Sequence, residues 1–241
     1  MDPLSHFGFR YLFGSYQHKD ILINFLNAFF ASLDSELEVY KHTIQDIHYK
    51  TSIDDDGYMD TENRPFVGMI CSCSDGTDLL LRFEKTLNPE LIPHLTRMRE
   101  EANMATSYIF SSQLYPKFYN LTLLNFKRSD DIFKVGCACL TSVGKEKKEQ
   151  TPDTYAKFTV TLPLFPDNVA KESVLFDKWI FLLRNLSAMT EIPEGFDEDI
   201  FKRVFEVMDC ENLSSGVFHD YIRHLDEERN LFESYLNQSA E

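Results

Sequence analysis

The stretch FVGMICSCSDGTDLLLRFE, residues 66–84, decides how the rest of the chain is read. Two runs rich in aliphatic and aromatic residues flank Ser74, Asp75 and Gly76, the punctuation of a β-hairpin. A three-residue loop with Gly76 in the left-handed position pairs Cys73 with Thr77. Counting back from that pair sets Gly68 opposite Arg82 and Phe66 opposite Glu84. Directly opposed residues share a sheet face. One face therefore carries Gly68, Ile70, Ser72, Leu80, Arg82 and Glu84. The other carries Val67, Met69, Cys71, Cys73, Leu79, Leu81 and Phe83, continuously apolar and so turned to the core. A two-residue loop would shift the register and exchange these faces.

Outward from the hairpin, QHKDILINFLNAFFASL (17–33) spaces Ile21, Leu22, Phe25, Leu26, Phe29, Phe30 and Leu33 as one helical stripe. Residues 37–50 are expected to form a strand and its approach, and the polar segment 51–65 a loop. Asp54, Asp55, Asp56 and Gly57 lack the alternating ligands and distal glutamate of a calcium loop, so a solvated turn is expected. After the hairpin a long helix is expected from Pro93 through Leu114. Strands are expected at 118–126, 131–143 and 157–165, with a charged exposed loop, GKEKKEQTPD, at 144–153. From Val174 the pattern turns helical in three segments, 174–186, 197–209 and 215–236. The order predicts an α/β core, a central mixed sheet flanked by helices, with an acidic helical C-terminal extension. The expected division is 1–190 and 191–241.

The chain has 241 residues and a net charge of −15. Residues 190–241 hold 14 Asp and Glu against 4 Lys and Arg, leaving the remainder with 25 acids against 20 bases. Neither part carries the basic excess that phosphate contacts require. DNA binding is therefore expected to be weak. No apolar run approaches the roughly 18 residues of a membrane span, and MDPLSHFGFR has neither the basic nor the apolar part of a secretion signal. A cytoplasmic protein with no membrane association is expected. The pairs Cys71/Cys73 and Cys137/Cys139 stand two apart on strands, where side chains are roughly 6.5–7 Å apart. That is too wide for neighbouring thiolates on one tetrahedral zinc, and buried free thiols are expected. Motifs of serine hydrolases, P-loops, HExxH metalloproteases and CxxC redox proteins are missing.

Several segments, taken together, resemble the PD-(D/E)XK nuclease family transposases, or recombination-promoting nucleases of the Rpn type. FRYLFG (9–14) is similar to an opening F-K-x-x-F-G, and DILINFLNAFF (20–30) to an L-I-x-F-L-N-A helix. The hairpin resembles the core V-D-[IV]-x-x-x-[DN]-x-x-G-x-x-x-[IV]-[IV]-E-M-Q. Arg97 in the following helix, TVTLPLF (159–165) and KWIFLL (178–183) resemble later landmarks. The match spans roughly residues 5–190. It implies a restriction-endonuclease-like core and Mg²⁺-dependent phosphodiester hydrolysis, in which carboxylates hold the metal that polarises the phosphate.

The departures bear most on function. Gly68 stands where the resemblance implies a metal-binding aspartate, Arg82 where it implies a glutamate, and Glu84 where it implies Gln or Lys. His6 replaces an acidic residue ahead of the opening motif, and Arg10 replaces its lysine. Glycine offers no ligand, and arginine sets a permanent positive charge where a dication belongs. A catalytically inactive protein that acts by binding a partner, expected to be a protein, is the leading reading. The alternatives are a non-cleaving nucleic-acid binder and an active nuclease whose acids have moved to Glu84, Asp78 and Asp75. No cofactor is expected, Mg²⁺ entering only with the last alternative. Arg10, Arg82, Arg97 and Arg99 are the candidate phosphate or partner contacts, joined by His94 and the Lys145–Lys148 loop. A homo-oligomer stays open. Arg82 and Glu84 are expected to pair along the strand, for under about 1 kcal/mol if exposed. Gly68 and Arg82 are expected at the mouth of a cleft roofed by the first helix.

Overall fold

The computed structural model describes residues 1–50, 66–86, 91, 118–128, 131–139 and 155–239. The expected turn at Asp54–Gly57, the helix from Pro93 with His94, Arg97 and Arg99, and the Lys145–Lys148 loop lie outside them. Six strands form one mixed sheet in the order β1-β2-β3-β4-β6-β5. They are β1 (Ile47–Tyr49), β2 (Phe66–Cys73), β3 (Asp78–Glu84), β4 (Phe118–Leu124), β5 (Val135–Cys139) and β6 (Tyr155–Thr161). Neighbours β1, β2 and β3 run antiparallel, β3, β4 and β6 run parallel, and β5 closes the sheet antiparallel to β6. Every residue of β3 and β4 is buried, as expected for central strands covered on both faces.

Helices α1 (His6–Phe13), α2 (Lys19–Ala31), α3 (Leu175–Asn185) and α4 (Asp199–Met208) pack on the apolar sheet face. Phe9 of α1 stacks on Phe83 of β3 with centroids 5.2 Å apart, and Phe29 of α2 meets Phe158 of β6 edge-on at 5.3 Å. Trp179 of α3 is fully buried, 5.7 Å from Phe25 and 5.3 Å from Phe201 of α4, and its indole N–H donates to Asn24 Oδ1 at 2.9 Å. Burying a side chain of this size contributes about 2–3 kcal/mol. Residues on both sides of position 190 thus share one hydrophobic cluster. The last helix, α5 (Ser215–Ser239), runs back across α1, where Tyr221 meets Phe7 at 5.9 Å. Farther along, Phe232 joins Leu91, Leu124 and Phe126 in a smaller cluster. Among the described residues no helix is long and apolar enough to cross a membrane.

Segment 37–50 holds the expected strand and its approach: Ile47–Tyr49 is the strand, and the approach begins in a 3-10 helix at Ser35–Tyr40. The Asn27 side chain accepts from Ile44 N at 2.7 Å and donates to Ile44 O at 2.9 Å, so α2 holds this chain before it can pair with β2. One expectation needs correcting: the first helix does not roof Gly68 and Arg82. Both α1 and α2 lie on the Phe83 face, the opposite side of the sheet from Arg82.

Candidate functional site

The hairpin turn fixes the geometry. Gly76 takes a φ of 82°, Gly76 N donates to Cys73 O at 3.0 Å, and Cys73 N donates to Thr77 O at 2.7 Å. The Asp75 carboxylate accepts from Thr77 N at 2.9 Å and braces the loop. This is the three-residue loop expected from the sequence, and the ladder follows it. Gly68 pairs with Arg82, Phe66 with Glu84 and Cys71 with Leu79.

From Arg82 the row continues in register across the sheet through Thr122 of β4 and Thr159 of β6 to Gly136 of β5. This face holds Arg82, Asn120 and Thr122 without exposure, with Asp78 and Glu84 nearly so. Arg82 Nη1 lies 3.9 Å from Glu84 Oε1 and both residues are buried, so the small worth of an exposed pair does not apply here. Thr122 Oγ1 donates to Asn120 Oδ1 at 3.1 Å. At the turn end of the same face, Asp78 is held by Lys50 Nζ and by Ser72 Oγ, each at 2.6 Å.

A magnesium ion does not fit the residues at Gly68 and Arg82. Gly68 has no donor atom, and the guanidinium beside it repels a cation. A side chain could be introduced, since a Cβ built on Gly68 would stand 3.3 Å from Leu81 O and 3.5 Å from Leu80 Cδ1, a fit needing a small shift. The acids Glu84, Asp78 and Asp75 do not meet at one point. Asp78 is tied to Lys50 and Ser72, and Asp75 belongs to the turn. Among the described residues no group of three His, Cys, Asp or Glu side chains is placed to hold a metal ion.

His6 and Arg10 belong to a different cluster, at the start of α1. There Glu228 of α5 lies 3.3 Å from Lys85 Nζ, and its other oxygen accepts from His6 N at 3.4 Å. Asp2 stands 3.8 Å from the same lysine. A carboxylate at a helix N-terminus is favoured by the helix dipole, so Glu228 serves both Lys85 and α1. Burial lowers the pKa of His6; Glu228 opposes the shift, while Lys85 and Arg10 add to it. The structure thus brings Gly68, Arg82 and Glu84 together, and groups His6 with Lys85, Arg10 and Glu228. Lys85 and Glu228 had no local signature in the sequence, because their roles arise from chain segments that meet only in the fold.

Comparison with known protein families, curated proteins and solved structures finds no match to this chain.

Proposed function

We propose that this protein is a catalytically inactive relative of the PD-(D/E)XK nucleases that acts by binding another protein. The observation that carries the reading is the Gly68–Arg82 pair. It stands at the two positions where the resemblance implies metal-binding carboxylates, and it offers a missing side chain and a buried guanidinium instead. A mixed sheet with helices against it is compatible with a restriction-endonuclease-like core. The acidic C-terminal region, 14 acids to 4 bases over residues 190–241, favours a protein surface over a phosphate backbone.

The test has two arms. Linear, nicked and single-stranded DNA should survive incubation with the protein and Mg²⁺ or Mn²⁺. Cleavage abolished by EDTA and by Glu84→Ala, in protein free of contaminating nuclease, would overturn the inactive reading. In the second arm, Gly68→Asp combined with Arg82→Glu should create a Mg²⁺ site absent from the parent, measured by calorimetry. Failure of the folded double variant to bind Mg²⁺ would remove the basis for the family assignment. DNA binding should be weak and steeply salt-dependent, and nanomolar affinity at physiological salt would favour a nucleic-acid partner.

A further inference from the structure

The other face of the same hairpin carries a thiol with a built environment. Cys73 ends β2, is 5 % exposed, and adjoins the exposed residues Ser74, Asp75 and Gly76. Cys71, two residues earlier on the same face, is fully buried, and both thiols are free, as expected from the sequence. His42 reaches this spot from the irregular segment before β1. Its ring packs on Phe30 at 4.0 Å and Tyr119 at 5.5 Å between centroids. His42 Nδ1 lies 3.0 Å from Tyr40 O. A carbonyl only accepts, so Nδ1 carries the hydrogen and Nε2 is left as the basic nitrogen of the neutral ring. Nε2 stands 3.8 Å from Asp75 Oδ2.

Opposite Cys73, Thr77 presents its side chain to the same face, and opposed Cβ atoms in a sheet are about 5 Å apart. Thr77 is fully buried, and its Oγ1 has no hydrogen-bond partner among the described residues. A buried unsatisfied hydroxyl costs about 1–3 kcal/mol and calls for an explanation. Thiol, imidazole, carboxylate and unsatisfied hydroxyl therefore gather at one end of β2.

We propose that Cys73 is a peroxide-reactive thiol, with His42 as its base, Asp75 supporting the imidazolium, and Thr77 stabilising the sulfenic acid that results. Nε2 of His42 takes the thiol proton. The Cys73 thiolate then attacks one oxygen of hydrogen peroxide, forming the S–O bond as the O–O bond breaks. The leaving hydroxide takes the proton back from His42 and departs as water. Sulfur is oxidised to the sulfenic acid, peroxide is reduced, and the hydroxyl of Thr77 can donate to the new oxygen. Cys71 does not resolve the product readily. A disulfide wants Cβ atoms about 3.8 Å apart, whereas a regular strand holds i and i+2 side chains at roughly 6.5–7 Å.

The electrostatics agree with this geometry. The hydrogen bond from Cys71 is the largest influence drawing the Cys73 pKa down to about 6, burial opposes it, and His42 lowers it further. Cys71 is pushed up, chiefly by donating to Cys73 and by its own burial, with Asp78 raising it and Lys50 lowering it.

The experiment uses the full chain, hydrogen peroxide and dimedone, with adducts mapped by mass spectrometry. Cys73 should carry the adduct and Cys71 should not, and Cys73→Ser should abolish it at this site. His42→Gln should slow labelling about ten-fold or more at pH 6. Labelling that favours Cys71, or that is unchanged in His42→Gln, overturns the proposal. Alkylation of the unaltered chain by iodoacetamide needs no variant. Its pH–rate midpoint at Cys73 should fall well below the ordinary thiol value of about 8.5. At pH 6 a thiol titrating at about 6 is half ionised, against roughly 0.3 % for an ordinary one. Lower nucleophilicity takes back some ten- to fifteen-fold of that excess, leaving an intrinsic advantage of about ten-fold. A midpoint at or above 8.5 overturns the proposal.

Discussion

Arg82 and Glu84 offer the most direct test of how the hairpin is held. Both side chains are buried, and Nη1 stands 3.9 Å from Oε1. At an effective dielectric near 20, unit charges at that separation attract by about 4 kcal/mol. Desolvating each charge costs several kcal/mol, so the intact pair sits close to balance. A single charge left behind does not. Glu84→Gln keeps the shape and removes the countercharge, and should cost about 3–5 kcal/mol. For a chain of this size that is roughly 6–20 °C in melting temperature. Arg82→Met should cost a similar amount, because it leaves the carboxylate in place of the pair. The double variant should lose less than the sum of the two single losses, by a coupling energy of about 2–3 kcal/mol. Urea unfolding, followed by Trp179 fluorescence and by far-ultraviolet circular dichroism, gives all four stabilities. A loss below about 1 kcal/mol for Glu84→Gln, or strict additivity in the double variant, would refute the coupling.

Three shorter predictions concern neighbouring features. His6 has a native pKa below its ordinary value, so the unfolded chain binds the proton more tightly. Its contribution is then complete above about pH 6.5 and is lost as pH falls toward the native pKa. Urea midpoints between pH 7.5 and 5.5 should fall less steeply in His6→Gln than in the parent, and parallel curves would contradict this. Phe232 is 2 % exposed in its cluster, and Phe232→Ala should cost about 3 kcal/mol while raising hydrogen exchange along α5. Unchanged exchange there would show that this contact does not dock the helix. Gly76→Ala should cost about 1 kcal/mol from backbone strain alone, since its φ is 82° and nothing lies within 4 Å of an added Cβ. A neutral outcome by denaturant titration would place the turn in another conformation.

The hairpin was legible because its determinants are local. Alternation sorted the residues by face, and Gly76 set the count that placed Gly68 against Arg82. The α2 stripe was legible for the same reason. Other features depend on contacts far along the chain. Asn27 holds Ile44 in the approach to β1, and no periodicity within residues 37–50 records that contact or where the strand starts. The insertion of β6 between β4 and β5 is likewise a matter of strand pairing, not of strand propensity. His6 has a contact 222 residues away in Glu228, which is why its cluster was out of reach. The thiol site was half legible, since the C-x-C spacing marked the cysteines but not the histidine that reaches Asp75 in the adjoining turn.

The polar face of the sheet separates stability from whatever else this protein does. Arg82, Asn120 and Thr122 have no exposure, and Asp78 and Glu84 have almost none. Buried ionic groups are weak contributors to stability, and well-packed apolar replacements are often neutral or better. Leu80 and Phe118 on the same face show that apolar side chains are accommodated there. Stability alone therefore does not call for a guanidinium and two carboxylates on β3. What they do supply is a fixed pattern of charge, spaced by the ladder and braced by Lys50, Ser72 and Thr122. A face built in this way is suited to positioning polar groups, and the Gly68–Arg82 pair is the place on it where an introduced carboxylate would be most informative.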